Sequence, residues 1–541
     1  MSKKKKHPLS CPANSEYAIQ GPLDRVDPVF FESITAKTIE GCAKSLGGSG
    51  GPSGLDSGAL KRILCSRKFG KQGIELRNAV SVLAKKLATT HVNPAALSVF
   101  LSSRLIPLEK ADGGTRPIGI GETLRRVVTK AIIGLCKPAA KDSAGIKQLA
   151  AGLLLITDKK SKAILVLLDL SAAFDTINHE ILLGKLRKHY GVTGSALLWF
   201  QSYLTDRKSS VKVGSSTSEP RATRIGVPQG SILGPLLFIL YTKELEAIAK
   251  HHGLSVKLYA DDTQIYTAFT VDQLDHLEEK LQNCLDHIHH WMNDNFLKLN
   301  PDKTEVMVIS NRNDRSTSPT EIATSKSQPP TATTSSARNL GVYLDPHLNL
   351  GEHVSKVVRT CKLSLMNLWK IGRMLPFNLK IKLVNGLIHS RLDYCNSLFA
   401  SLSSKDTQRL QKIQHAAARF IFGQRSFKGT TKLCKTLHFL PVEERITYKL
   451  CLLTYKALNG SAPEYILELL PKRKTTGKCL RRDGDDTLLQ KSYSHYKCNE
   501  GAFSIAAPAA WNELPRTLRE SPSITSFKSG LKTHLFKRAF E

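Results

Sequence analysis

Hydrophobic and polar positions follow two distinct rhythms along this 541-residue chain. The apolar run from Ala163 to Leu168 is unbroken and ends on Asp169. It predicts a buried central strand that delivers an acid at its C-terminal end. Beyond it the spacing becomes helical: Ile177, Ile181, Leu182, Leu186 and Tyr190 share one face, and Gly191 is placed as a C-cap. A second strand pattern appears at 256–266, where Val256, Leu258 and Ala260 alternate with polar residues and Ile265 resumes the alternation. Asp261 and Asp262 fall between the two halves, which predicts a hairpin with acids at its tip. Thr270 and Gln273 then suit a capping box ahead of Leu274, Leu277, Leu281, Leu285, Ile288 and Trp291, a long amphipathic helix.

The remaining patterns are coarser. Residues 58–100 and 350–470 read as helical, the latter strongly basic, and residues 226–245 as a Gly/Pro turn entering a hydrophobic helix. The stretch "GGSGGPSG" at 47–54 reads as a linker or loop, and no G-K-[ST] follows to make it a phosphate-binding loop. Residues 312–337 are rich in Ser, Thr and Pro and read as a flexible surface excursion. No internal repeat is evident.

Charge changes this picture most. The chain carries 78 Lys and Arg against 46 Asp and Glu, a net +32. Such an excess repels itself unless a polyanion is near, and nucleic acid is the favoured partner over a merely basic surface. The mean hydropathy of −0.19 and the lack of long apolar runs argue against a membrane protein. The start "MSKKKKHPLSC" has no apolar core, so it is not a secretory signal. Eleven cysteines occur without a C-x-x-C pair, which disfavours a zinc finger or disulfide framework and suits reduced thiols. His287, His289 and His290 lie within a helical pattern and read as solvated or capping residues.

The adjacent acids are the sharpest chemical signal. Two neighbouring carboxylates repel each other by about 1–3 kcal/mol, so a cation should offset them unless the pair is a solvated turn. An antiparallel sheet would bring Asp169 to Asp261 and Asp262. Three such acids suit two divalent cations about 3.5–4 Å apart, as in phosphoryl transfer.

The stretches "LLDLSAAFDTINH", "GVPQGSILGP", "LYADDTQIY" and "LKLNPDKTEVMVI", in that order, resemble the reverse transcriptase of non-LTR (LINE-type) retrotransposons. The resemblance covers roughly residues 91–541 and takes in "RNLGVYLD", "SRLDYCNSLF" and "AFSIAAPAAWNELP". It implies an α/β right-hand polymerase, with fingers and an antiparallel-sheet palm, followed by a helical thumb and helical C-terminal region. The implied divisions are a basic, helical N-terminal extension at 1–90, fingers and palm at 91–345, and thumb with C-terminal region at 346–541. Asp169, Asp261 and Asp262 would hold two Mg²⁺ (Mn²⁺ being the alternative), with a backbone carbonyl from Leu170. Phe174 matches the residue that excludes a 2′-hydroxyl, or else is a core aromatic; Gln229 matches one touching nucleotide and template, or else sits in a plain turn. Lys303 resembles the lysine that protonates departing pyrophosphate, and also reads as an exposed lysine at a strand start. Residues 338–345 look like the hairpin that grips the primer end.

The implied function is RNA-directed DNA synthesis, with RNA template, DNA primer or target and dNTPs as partners, in a nuclear and cytoplasmic ribonucleoprotein. Departures from the family set the alternative. No endonuclease precedes the polymerase signals, so a separate nuclease would have to nick the target. A G-F-R-x-G-x-S-T block is missing between Ile120 and Lys162, which suggests a seam near residue 150. Lys110 and Arg116, in "LEKADGGTRPIGI", are then the remaining candidates for the nucleotide's phosphates. A catalytically impaired, nucleic-acid-binding remnant is the competing reading.

Overall fold

The computed structural model describes residues 28–541 apart from 91, 110–112, 114, 145–161, 206, 215, 229, 311–320, 324–329, 427, 471–486 and 492–500. Lys110, Gln229, the seam near 150 and the basic N-terminal run therefore lie outside the described residues. The fold is mixed α/β. One sheet is five-stranded: β1 (Ser103–Glu109) pairs antiparallel with β2 (Thr115–Gly121) and parallel with β4 (Arg207–Val213), and β5 (Ser216–Thr217) and β6 (Arg221–Thr223) both pair with β4. A second, four-stranded sheet has the order β7-β8-β3-β9, with β3 at Lys162–Leu168, β7 at Ser255–Tyr259, β8 at Asp262–Phe269 and β9 at Glu305–Ile309. The apolar run of β3 is the buried strand its sequence predicts: Ala163 to Val166 are at most 1% exposed.

The chain folds into two compact units. The first draws on residues up to Ile146, Leu168–Gln264 and Asn283–Thr304. Helices α1 (Ala36–Lys44), α2 (Ser57–Cys65), α3 (Gly70–Thr89) and α4 (Thr123–Ala144) share a core that includes Ile34, Ile39, Leu64, Ala84 and Val127. Of the two readings of the glycine-rich stretch, linker or loop, the structure has the loop. Ser53 donates its N–H and its hydroxyl to the two Glu122 carboxylate oxygens, both at 2.7 Å. A side chain on Gly51 would come within 2.8 Å of the Gly121 carbonyl, so backbone meets backbone there.

Helix α5 (His179–Tyr190) starts at Asn178, whose side chain accepts from the Glu180 and Ile181 N–H groups, and stops at Gly191 with φ 62°. It is followed by α6 (Gly194–Leu204), α7 (Gly234–Thr242), α8 (Glu244–His251) and α9 (Leu274–Asp294). Lys185 on α5 is 1% exposed and pairs with Glu244 on α8 at 2.9 Å. The same Glu244 oxygen accepts from the Trp291 indole at 2.7 Å, and His189 lies 3.3 Å from the other oxygen. Burial lowers the Lys185 pKa against the pull of Glu244. Burial would raise the Glu244 carboxyl, but Lys185 and Trp291 hold it below its ordinary value.

The second unit comprises Lys147–Leu167, Ile265–Gln282 and Glu305–Glu541. Strands β3 and β9 run antiparallel from Ala163↔Ile309 to Leu167↔Glu305. The Ser/Thr/Pro-rich stretch is not all excursion, for β10 (Glu321–Ala323) and β11 (Pro330–Ala332) pair within it. A further hairpin, β12 (Ala337–Asn339) and β13 (Val342–Leu344), turns at Leu340 and Gly341, both with positive φ. The rest is helical, around a core containing Val354, Leu365, Phe420, Leu450, Trp511 and Phe527. The seven cysteines whose side chains are described are all unbridged. Among the described residues, no helix is long and apolar enough to cross a membrane.

Candidate active site

Three elements of the first unit carry the acids. Asp169 follows directly on β3, and the chain there is fastened to residues 298–300. The Asn300 N–H donates to the Asp169 carbonyl at 2.9 Å, and the Ser171 N–H donates to the Lys298 carbonyl at 2.8 Å. These two bonds flank the bridge Leu170↔Leu299. In an antiparallel pair of this kind the central residues turn their own N–H and C=O outward, so the Leu170 carbonyl faces away from Leu299. The hairpin between β7 and β8 turns at Ala260 and Asp261, where Ala260 adopts φ 52°, and Asp262 opens β8. The expected acidic tip is thus present, with one acid in the turn and the other on the strand.

The acids interact. The Asp262 carboxyl is pushed above its ordinary value, first by loss of hydration and then by the negative charges of Asp261 and Asp169. Each added negative charge makes ionising Asp262 harder, as like-charged neighbours do. Compensation from the chain is thin. The Lys303 ammonium lies 3.9 Å from an Asp169 carboxylate oxygen and is 56% exposed. The Asn300 side-chain amide donates to the same oxygen at 3.4 Å, a long bond.

Among the described residues, no three His, Cys, Asp or Glu side chains converge closely enough to enclose a metal ion. The donor set still suits hard divalent cations, being all oxygen and short of positive charge. His287 does not gather with His289 and His290; its Nδ1 lies 3.2 Å from Nε2 of His252 on the following turn after α8.

The motif loop at 226–231 is fixed to the segment that carries Phe174. The Val227 N–H donates to the Phe174 carbonyl at 2.7 Å, and the Gly226 N–H to the Ile177 carbonyl at 2.8 Å. Nε2 of buried His179 sits 2.9 Å from the Gly226 carbonyl, so that nitrogen carries the proton. Phe174 itself is half-buried, its ring 5.0 Å from that of fully buried Phe238 on α7. Packing and an outward role are thus both open to it. Arg116 lies on β2 opposite Leu108. Sequence reasoning missed Asn300 and His179, although "NPDK" and "NHE" put a polar side chain at each place.

Residues 108–344 match the family described as "Reverse transcriptase (RNA-dependent DNA polymerase)". This part of the chain is thus similar to reverse transcriptase domains, and its fold is mixed α/β. Among characterised proteins, the chain is 29% identical over 317 residues to the probable RNA-directed DNA polymerase from transposon BS of Drosophila melanogaster, covering 56% of this chain and 33% of the relative. It is 24% identical over 296 residues to that from transposon X-element of the same species, covering 53% and 31%. The chain is therefore homologous to the RNA-directed DNA polymerases of non-LTR retrotransposons, and it spans about a third of the length of these relatives. A solved telomerase from Candida albicans, in complex with a fragment of telomeric RNA, aligns with a TM-score of 0.33 at 13% identity, over 73% of this chain and 71% of that one.

Proposed function

We propose that this chain is the RNA-directed DNA polymerase of a non-LTR retrotransposon, adding dNTPs to a primer 3′-OH on an RNA template. The supporting observation is the raised carboxyl of Asp262, which registers the charges of Asp261 and Asp169 within a reverse transcriptase domain. Asp169, Asp261, Asp262 and the outward Leu170 carbonyl would hold two Mg²⁺. Bound there, the ions would stabilise charge on the attacking and leaving oxygens. Asn300 and the 298–300 segment hold Asp169 in place. Lys303, whose ammonium lies 3.9 Å from Asp169, would give a proton to departing pyrophosphate. Phe174 would crowd a ribonucleotide's 2′-hydroxyl, Gln229 would meet nucleotide and template, and Lys110 and Arg116 would take the triphosphate's charge.

Primer extension on an RNA template by the full chain tests this reading. Wild-type synthesis should fall by about 10³-fold or more in Asp262→Asn, since a lost metal ligand removes several kcal/mol of transition-state stabilisation. Extension by Asp262→Asn at the wild-type rate would refute the metal assignment. Tight RNA binding with no wild-type extension would leave the impaired remnant as the better reading.

A further inference from the structure

Two arginines of the first unit are buried with no carboxylate among their described partners. Arg125, on α4, is 6% exposed and Arg207, at the start of β4, is 2% exposed. Arg125 donates to the carbonyls of Leu101 at 3.3 Å and Tyr203 at 3.4 Å. Arg207 donates to the Tyr203 carbonyl at 3.2 Å and the Ser103 hydroxyl at 3.0 Å. Both guanidinium groups lie over the same Tyr203 ring, at 4.2 and 5.3 Å from its centre.

All these partners are neutral, and both hydrogen bonds of Arg125 are long. Among the described residues, the charged neighbour that Arg125 feels is Arg207, another cation. Burial and that repulsion push Arg125 down to about 9, and burial lowers Arg207 as well. A buried charge ordinarily has an opposite charge with it, because carbonyl dipoles and one ring recover only part of the lost hydration.

The pair does not close on itself. A small cavity open to solvent is walled by Arg125, Arg207, Arg126, Thr129, Ser231 and Gly230 among others. Among the described residues its wall offers guanidinium forks and hydroxyls and no carboxylate. Gly230 has φ 90°, and a side chain there would come to 3.3 Å from Ile118, so the backbone of the motif loop approaches closely.

We infer that this cavity is an anion site that takes one phosphate group, of a nucleic-acid strand or of a nucleotide, on Arg125 and Arg207. A guanidinium presents paired N–H donors that match phosphate oxygens, and a tetrahedral phosphate has oxygens enough for two forks at once. Nothing in this recognition depends on catalysis. Only the choice between strand and nucleotide rests on the polymerase reading above.

Thermal unfolding of the full chain tests the site, with inorganic phosphate titrated against chloride at matched ionic strength. Wild type should gain Tm saturably with phosphate, as ligand linkage requires. Arg125→Met should lose that gain while remaining at least as stable as wild type without phosphate, because it removes an unmatched buried charge. Arg207→Lys keeps the charge and loses the fork, so the gain should be retained but shifted to higher phosphate. If Arg125→Met fails to fold, Arg207→Lys alone decides. A flat wild-type response, or the wild-type response in both variants, overturns the site. Asp262→Asn should respond as wild type, which separates this test from the fate of the polymerase reading. Competition by primer–template assigns the phosphate to the strand, and competition by dNTP alone assigns it to the nucleotide. Competition by neither overturns both sources.

Discussion

Lys185 and Arg125 are both buried cations of the same compact unit, and their surroundings differ in kind. Lys185 meets the Glu244 carboxylate at 2.9 Å, with Trp291 and His189 completing that acid's contacts. Arg125 meets two carbonyls, a ring and a second arginine. The first arrangement is complete within the chain and joins α5, α8 and α9. The second has no counter-charge among the described residues. The acids at 169, 261 and 262 belong with the arginines, since among the described residues the one ion pair they make is with a distant, exposed lysine. Where charge is balanced internally, it holds the fold together; where it is not, it marks a place for a ligand of the opposite sign.

Removing Lys185 should expose that difference most strongly. Lys185→Met leaves Glu244 without its buried partner and should cost about 3 kcal/mol in urea unfolding, the usual result of breaking a buried pair from one side. Arg125→Met should cost nothing in the same assay without phosphate. Equal losses in the two variants would erase the distinction.

Phe174 offers an apolar version of the contrast, since its ring packs on Phe238 yet stays half-buried. Phe174→Ala should relax discrimination against ribonucleotides by about tenfold or more, within the range that a shape-based pocket contact supplies. Matched dNTP and rNTP incorporation kinetics measure it. A loss of stability with unchanged discrimination would make Phe174 purely a core residue.

The smallest effect concerns pH. Asp262 has a folded pKa above its ordinary 3.8, so the folded chain binds that proton more tightly than the unfolded chain. Its contribution to stability is therefore greatest at low pH and is lost as pH rises through the raised value. The Asp262→Asn chain should lack this part of the pH slope in Tm measurements without divalent cations. An identical slope in both chains would show that the carboxylates do not burden one another.

Much of the fold was legible where one rule dominates locally. The β3 run, the acidic hairpin, the Gly191 stop and the Thr270 capping box each depend on residues within a few positions, and each is found. The Gly-rich stretch at 47–54 could be read as linker or loop from its composition, because what fixes it as a loop is Glu122, far along the chain. The β10–β11 pair was not legible, since Ser, Thr and Pro are poor strand signals. Within the site, the acids stood out because adjacent carboxylates are costly. Arg125 and Arg207 did not, because two arginines among 78 basic residues carry no local mark of burial. Only the packing around Tyr203 singles them out.

The contact beneath Gly226 bears on how this domain can change over generations. A β-carbon at that position would strike the Asp175 Cα and the Phe174 carbonyl at 2.9 Å, and the local φ of 83° already disfavours any L side chain. Every substitution at 226 should thus be purged in a saturation library, whichever nucleotide is supplied. The seam between the two motifs also ties their inheritance together. An insertion or deletion in 171–177 would lift the 226–231 loop off its bed, so viable lineages should hold the length of both segments fixed while the chain between them drifts.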